Sequence, residues 1–98
     1  MYPTYPTKLI LKTIEKWEIL KKGIIPLINL IEENWQFADV GYFKFEKNKN
    51  KFKLELHTGG WSGNEDIINS LTKNIFWTVY WIKTERGGHY YFKGKIKL

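Results

Sequence analysis

The chain has 98 residues, room for a single domain (1–98) with a modest core and little to spare. It has no cysteine, which excludes disulfides and thiolate metal sites and suits a reducing compartment. Sixteen Lys+Arg against ten Asp+Glu give a formal net charge of +6, which excludes an acidic mimic of nucleic acid and favours polyanions or acidic proteins as partners. Only Arg86 among those cations is arginine. Lysine acts as a point charge, so any nucleic-acid contact is expected to be electrostatic and weakly selective for sequence. No run is apolar for long enough to cross a bilayer, and Met1-Tyr2-Pro3-Thr4-Tyr5-Pro6 does not read as a signal peptide. A cytoplasmic protein with no membrane partner is expected.

In chain order, Thr7 is placed to cap a first helix. Ile10, Ile14, Trp17 and Leu20 recur at helical spacing, and Gly23 is the expected stop. Pro26 suits the first turn of a second helix with Leu27, Leu30, Ile31 and Trp35 on its apolar face. Residues 41–46 and 51–57 alternate like strands. Between them Lys47-Asn48-Lys49-Asn50 reads as a four-residue hairpin loop. That register faces Phe45 with Phe52, Phe43 with Leu54 and Lys44 with Lys53.

The strand ends in His57-Thr58-Gly59-Gly60-Trp61-Ser62-Gly63-Asn64-Glu65-Asp66. Three glycines offer positive-φ backbone, and Ser62 and Glu65 stand at capping-box spacing before Ile67, Ile68 and Leu71. Asn64 is an alternative cap, and Asn74 a left-handed stop. Two readings of the bend are open. One is an anion site at a helix start; the other is a capped turn with Trp61 folded onto the core. Glu65 and Asp66 in the first turn favour the second.

Ile75-Phe76-Trp77-Thr78-Val79-Tyr80-Trp81-Ile82 is apolar on both faces and reads as a central strand. Gly87-Gly88 then reads as a two-residue hairpin turn, pairing Arg86 with His89, Thr84 with Tyr91, Ile82 with Lys93 and Tyr80 with Lys95. On the opposite face this register lays Trp81 over Gly94 and Trp77 against Leu98. The expected architecture is α+β in the order ααββαββ: two N-terminal helices, a β-hairpin, a short helix and a second hairpin. The four-stranded sheet is largely antiparallel with helices on one face.

On that register the outer face gathers Lys44, Lys51, Lys53, His57, Arg86, His89, Tyr91, Lys93, Lys95 and Lys97, with Tyr42, Tyr80, Phe76 and Ile82 among them. Aromatics between cations on an open sheet hold single strands by stacking and charge neutralisation. The case for an enzyme is thin. His57 and His89 can approach each other, but Gly60-Trp61-Ser62-Gly63 lacks the spacing of a nucleophile elbow, and two histidines without cysteine make a poor zinc site. No metal or cofactor is expected.

The runs Glu55-Leu56-His57-Thr58-Gly59-Gly60-Trp61-Ser62-Gly63-Asn64-Glu65 and Arg86-Gly87-Gly88-His89-Tyr90-Tyr91-Phe92, with Phe76-Trp77 and Tyr80-Trp81 between, resemble a pattern in small proteins encoded by tailed phages and prophages. The resemblance covers the C-terminal half. It implies an accessory protein acting in a bacterial cytoplasm.

The leading expectation is therefore a non-enzymatic phage-type binding protein that engages a host or phage macromolecule, countering a host defence being one form of this. The contact surface is expected at His57, Gly59, Gly60, Trp61, Ser62, Asn64, Arg86, His89 and Tyr91, with a protein as partner. The alternatives are a nucleic-acid face of Lys44, Lys51, Lys53, Tyr80, Tyr91, Lys93, Lys95 and Lys97, and an anion or nucleotide site at the Ser62–Glu65 helix start. The oligomeric state is open, a homodimer included.

Overall fold

A computed structural model of the chain describes residues 5–37 and 42–97. Thr7 caps α1 (Lys8–Glu15), its hydroxyl accepting from the Ile10 N–H at 3.1 Å. The helix does not continue to Gly23 as the apolar spacing suggested. It stops at Glu15 and is followed by one turn, α2 (Ile19–Lys22), and then by α3 (Ile24–Asn34). The cause lies 60 residues away. The buried Asn74 amide donates to the carbonyls of Ile14 (2.9 Å) and Trp17 (2.8 Å), satisfying groups that a continuing helix would have used.

Asn74 has a second task. With φ at −95° it is not a left-handed stop but the N-cap of a helix, its Oδ1 accepting from the Phe76 N–H at 2.8 Å. The apolar run expected as a central strand accordingly divides into α5 (Ile75–Tyr80) and the strand β3 (Trp81–Glu85). Phe76 and Tyr80, four residues apart, both enter the core, whereas Ile75 and Val79 stay exposed; that is helical spacing. Phe76 and Tyr80 are therefore not on the outer sheet face.

The remaining elements are β1 (Phe43–Asn48), β2 (Lys51–His57), α4 (Ser62–Thr72) and β4 (His89–Lys95). The four strands form one antiparallel sheet in the order β1-β2-β4-β3, so the α+β class and the antiparallel hairpins stand as expected. The first hairpin is tighter than read. Lys49 takes a positive φ of 58° in a two-residue turn, and the register moves by two: Phe45 faces Leu54, Phe43 faces Leu56 and Lys44 faces Glu55. The expected Lys44–Lys53 repulsion is replaced by an opposite-charge pair. Gly41, where the first strand was expected to begin, lies outside the described residues.

The second hairpin has three turn residues, Arg86-Gly87-Gly88, so Glu85 rather than Arg86 faces His89, and Thr84 faces Tyr90. A bulge between Trp81 and Lys83 ends the regular register. Trp81 faces Phe92, not Gly94. The ring over Gly94 belongs to Tyr80, so close that a Cβ there would stand 2.5 Å from it. The Tyr80 hydroxyl donates to the Lys95 carbonyl at 3.0 Å. Leu98, the expected partner of Trp77, lies outside the described residues.

Phe43, Phe52, Leu54, Leu56 and Phe92 supply the inner face of the sheet. They share one core with Ile14, Leu27, Ile31, Ile67, Leu71 and Phe76 of the helices. Each such side chain contributes about 1.5–3 kcal/mol on burial. Lys51, Lys53, Glu55 and His57 alternate to the other side. Helices cover one face; among the described residues the other is open. Among the described residues no helix is long and apolar enough to cross a membrane.

Candidate functional site

The open face is a ladder of cross-strand pairs on the two central strands. β2 and β4 bring together Lys51 with Lys95, Lys53 with Lys93, Glu55 with Tyr91, and His57 with His89. Successive pairs are separated by two residues, about 6.7 Å along the strand. The ladder therefore has a lysine end and an imidazole end, and the two differ in how their charges are met.

At the lysine end like charges face each other twice. Among the described residues, none of these four lysines forms an ion pair. Directly opposed like charges destabilise a sheet by a few tenths of a kcal/mol to about 1 kcal/mol. The four lysines line a shallow trough of about 620 Å³ together with Lys47 and Ile82; Glu46 is its one carboxylate. Lys44 is exposed on β1 beside Glu55. Lys97 lies beyond the end of β4, where its N–H donates to Asn50 Oδ1 at 3.3 Å. Tyr80 is withdrawn into the core.

The imidazole end is internally satisfied. His57 Nδ1 and His89 Nδ1 are 2.7 Å apart, and His57 Nε2 lies 3.2 Å from Glu55 Oε1. An ionised carboxylate only accepts, so Nε2 of neutral His57 carries the proton and His89 Nδ1–H donates to the bare Nδ1 of His57. The Tyr91 ring stands edge-on to His57 at 5.8 Å, and Lys83 Nζ lies 4.8 Å from its centroid on β3's side. The Tyr91 hydroxyl donates to Glu85 Oε1 at 2.5 Å. That bond pushes the phenol up to about 12 and, with Lys83 beside it, holds the Glu85 carboxyl below its ordinary value. Glu55 and Glu85 were missing from the cationic face read in the sequence. The alternation through Lys51, Lys53, Glu55 and His57 carried the signal for Glu55.

The glycine-rich bend and the hairpin tip do meet at one rim. The Thr58 N–H donates to the Gly88 carbonyl at 2.9 Å, and the Thr58 side chain fills the space a Gly88 Cβ would need. Gly59 and Gly60 have φ of 63° and 77° as expected and are exposed with Arg86. Gly63 does not; it sits inside α4, bare because the Trp61 ring lies on it. Trp61 is half-buried there, edge-on to Tyr5 at 5.7 Å, and occupies the N-cap position itself. The Ser62–Glu65 capping box is thus not formed. Ser62 is exposed in the first turn, and the Glu65 N–H bonds the Trp61 carbonyl at 3.1 Å.

Asn64 is likewise spent inside. Fully buried, it accepts from the Gln36 N–H at 3.0 Å and donates to the Thr58 carbonyl at 3.2 Å, tying the end of α3 to the bend. Of the residues expected at a contact surface, Gly59, Gly60, Ser62 and Arg86 are exposed and His57, His89 and Tyr91 half-buried, whereas Asn64 and much of Trp61 lie inside. Comparison with family models, curated proteins and solved structures finds no match to this chain.

Proposed function

We propose that this is a small binding protein of the phage accessory type whose partner is the phosphate backbone of a nucleic acid. The observation carrying this is the pair of opposed lysine rungs, Lys51/Lys95 and Lys53/Lys93, on an open face where Glu46, opposite Lys53 on β1, is the one facing carboxylate and none of the four lysines forms an ion pair among the described residues. Phosphates laid over them relieve a repulsion that the free protein bears. Lysine point charges, Tyr80 in the core and Tyr91 hidden under Lys83 leave little for base stacking or base-edge reading. Binding then follows charge and strand geometry rather than sequence.

Fluorescence anisotropy with labelled single- and double-stranded oligonucleotides across a salt series is the direct test. Four phosphate contacts on a single strand give a log–log salt slope of about −3. Absence of binding at low salt removes the proposal, and so does binding that survives Lys53→Glu/Lys93→Glu unchanged.

The rim supports a second reading, a protein partner. Thr58 and Gly88 lock the bend to the hairpin tip, so Gly59, Gly60 and Arg86 present one preformed edge. Capture from host lysate with wild type and Arg86→Ala separates it from the first; identical catches end it.

A further inference from the structure

The two histidines of the chain stand at the same rung, with ring nitrogens pointing at one another and a carboxylate behind one of them. We propose that His57 and His89 form a two-imidazole site for a divalent transition metal of the copper–nickel–zinc class, held through both Nδ1 atoms, with Glu55 orienting His57 from behind.

Three features carry this. Glu55 fixes the His57 proton on Nε2, which leaves Nδ1 with its lone pair directed across the strands; a carboxylate behind the distal nitrogen is the usual support of a metal-binding imidazole. His89 Nδ1 meets it at 2.7 Å. In the free protein that gap holds a proton donated by His89. To bind a metal, neutral His89 moves that proton from Nδ1 to Nε2, which faces the open turn at Gly87. No net proton is released, and both Nδ1 atoms become donors.

The third feature is spacing. Metal–nitrogen bonds of about 2.05 Å meeting at a right angle place the two nitrogens about 2.9 Å apart, whereas a tetrahedral angle places them about 3.3 Å apart. The observed 2.7 Å is the length of the hydrogen bond between the rings, a few tenths of an ångström short of the right-angle spacing. A modest turn of the rings, now 61° apart, opens the bite. Two imidazoles make a poor zinc site, whereas copper(II) stands highest in affinity for nitrogen ligands and would take solvent in its remaining positions. Tyr91 is not a ligand, since its hydroxyl is committed to Glu85. Because the ligands come from β2 and β4, the metal clips the two central strands together and its binding energy adds to folding.

The test uses tag-free protein near neutral pH and CuCl₂, NiCl₂ and ZnCl₂ separately, by titration calorimetry and thermal melting. One ion per chain is expected, tightest for copper, with a rise in melting temperature. His57→Ala and His89→Ala each abolish both effects. Glu55→Gln keeps both ligands and weakens binding by roughly tenfold to a hundredfold. Circular dichroism of each variant without metal separates loss of a ligand from loss of fold. In NMR, nickel or copper broadens the His57 and His89 ring signals before those of any other residue. The proposal is overturned if wild type shows no binding at a large excess of copper. It is equally overturned if His89→Ala, folded, binds as wild type does, or if broadening centres away from the two rings.

Discussion

The two ends of the β2/β4 ladder are built from the same strands, on the same face, about 20 Å apart or less, yet they solve the burden of charge in opposite ways. At the imidazole end the side chains meet one another: His57 answers His89 and Glu55, and Tyr91 answers Glu85. At the other end Lys51, Lys95, Lys53 and Lys93 form no ion pair within the described residues, and only Lys53 has a carboxylate, Glu46, across the strand. Within the free protein the first end interacts with itself, whereas the second leaves its charges to an outside anion. Charge count alone would have treated the face as one basic patch.

The largest expected difference between the ends is in polyanion affinity. Lys53→Glu/Lys93→Glu lowers nucleic-acid affinity by roughly a hundredfold at low salt and flattens the salt slope, whereas Glu85→Gln leaves it unchanged in the same anisotropy assay. Equal losses in both variants would merge the two ends again.

Next in size is the Tyr91 phenol. Followed by the ultraviolet absorbance of phenolate, a component near pH 12 is expected in wild type, and Glu85→Gln moves it back toward the ordinary 10. Tyr91→Phe removes that component; Tyr80, also raised by burial, stays as a second late-titrating ring.

Stability against pH sharpens the same end. Glu85 has a folded value below the unfolded 4.5, so its contribution is complete above that value and disappears as pH falls through the folded one. Tyr91 has the reverse sign: its contribution is complete below pH 10 and is lost as pH rises through about 12. The melting difference between wild type and Glu85→Gln/Tyr91→Phe is thus greatest at neutral pH and shrinks at both extremes. A difference constant across pH would show that the pair does not couple.

The smallest effect belongs to the lysine end. Lys51→Glu turns a facing repulsion with Lys95 into an attraction and stabilises the fold by about 0.5 kcal/mol at low salt, less as salt is added. Differential scanning calorimetry at two ionic strengths reads it.

Much of this arrangement was legible in the residues. Thr7 capped as expected, the 51–57 alternation set the two faces, and the glycine pair marked a hairpin beside the bend. The helix at 75–80 was not legible, because an apolar run of that length suits a buried strand equally well. What decides it is the Asn74 side chain, whose partners lie on carbonyls of residues 14 and 17. The hairpin registers failed for local reasons: a lysine accepted positive φ, and a third residue joined the glycines in their turn. At the site the meeting of His57 and His89 was foreseen, but Glu85 was not, since the one-residue change of register is what turns it toward Tyr91.

The strand order has a consequence for how the molecule comes into being. The fourth strand in sequence is laid down third in space, between β2 and β3. Until it is in place the first hairpin and β3 have no common neighbour, and α5, six residues long, lacks the platform its Tyr80 stands on. Without that strand the edges of β2 and β3 that it fills would be bare. The sheet is therefore continuous only with β4 seated, and its removal would leave the β1/β2 hairpin and β3 without a shared strand.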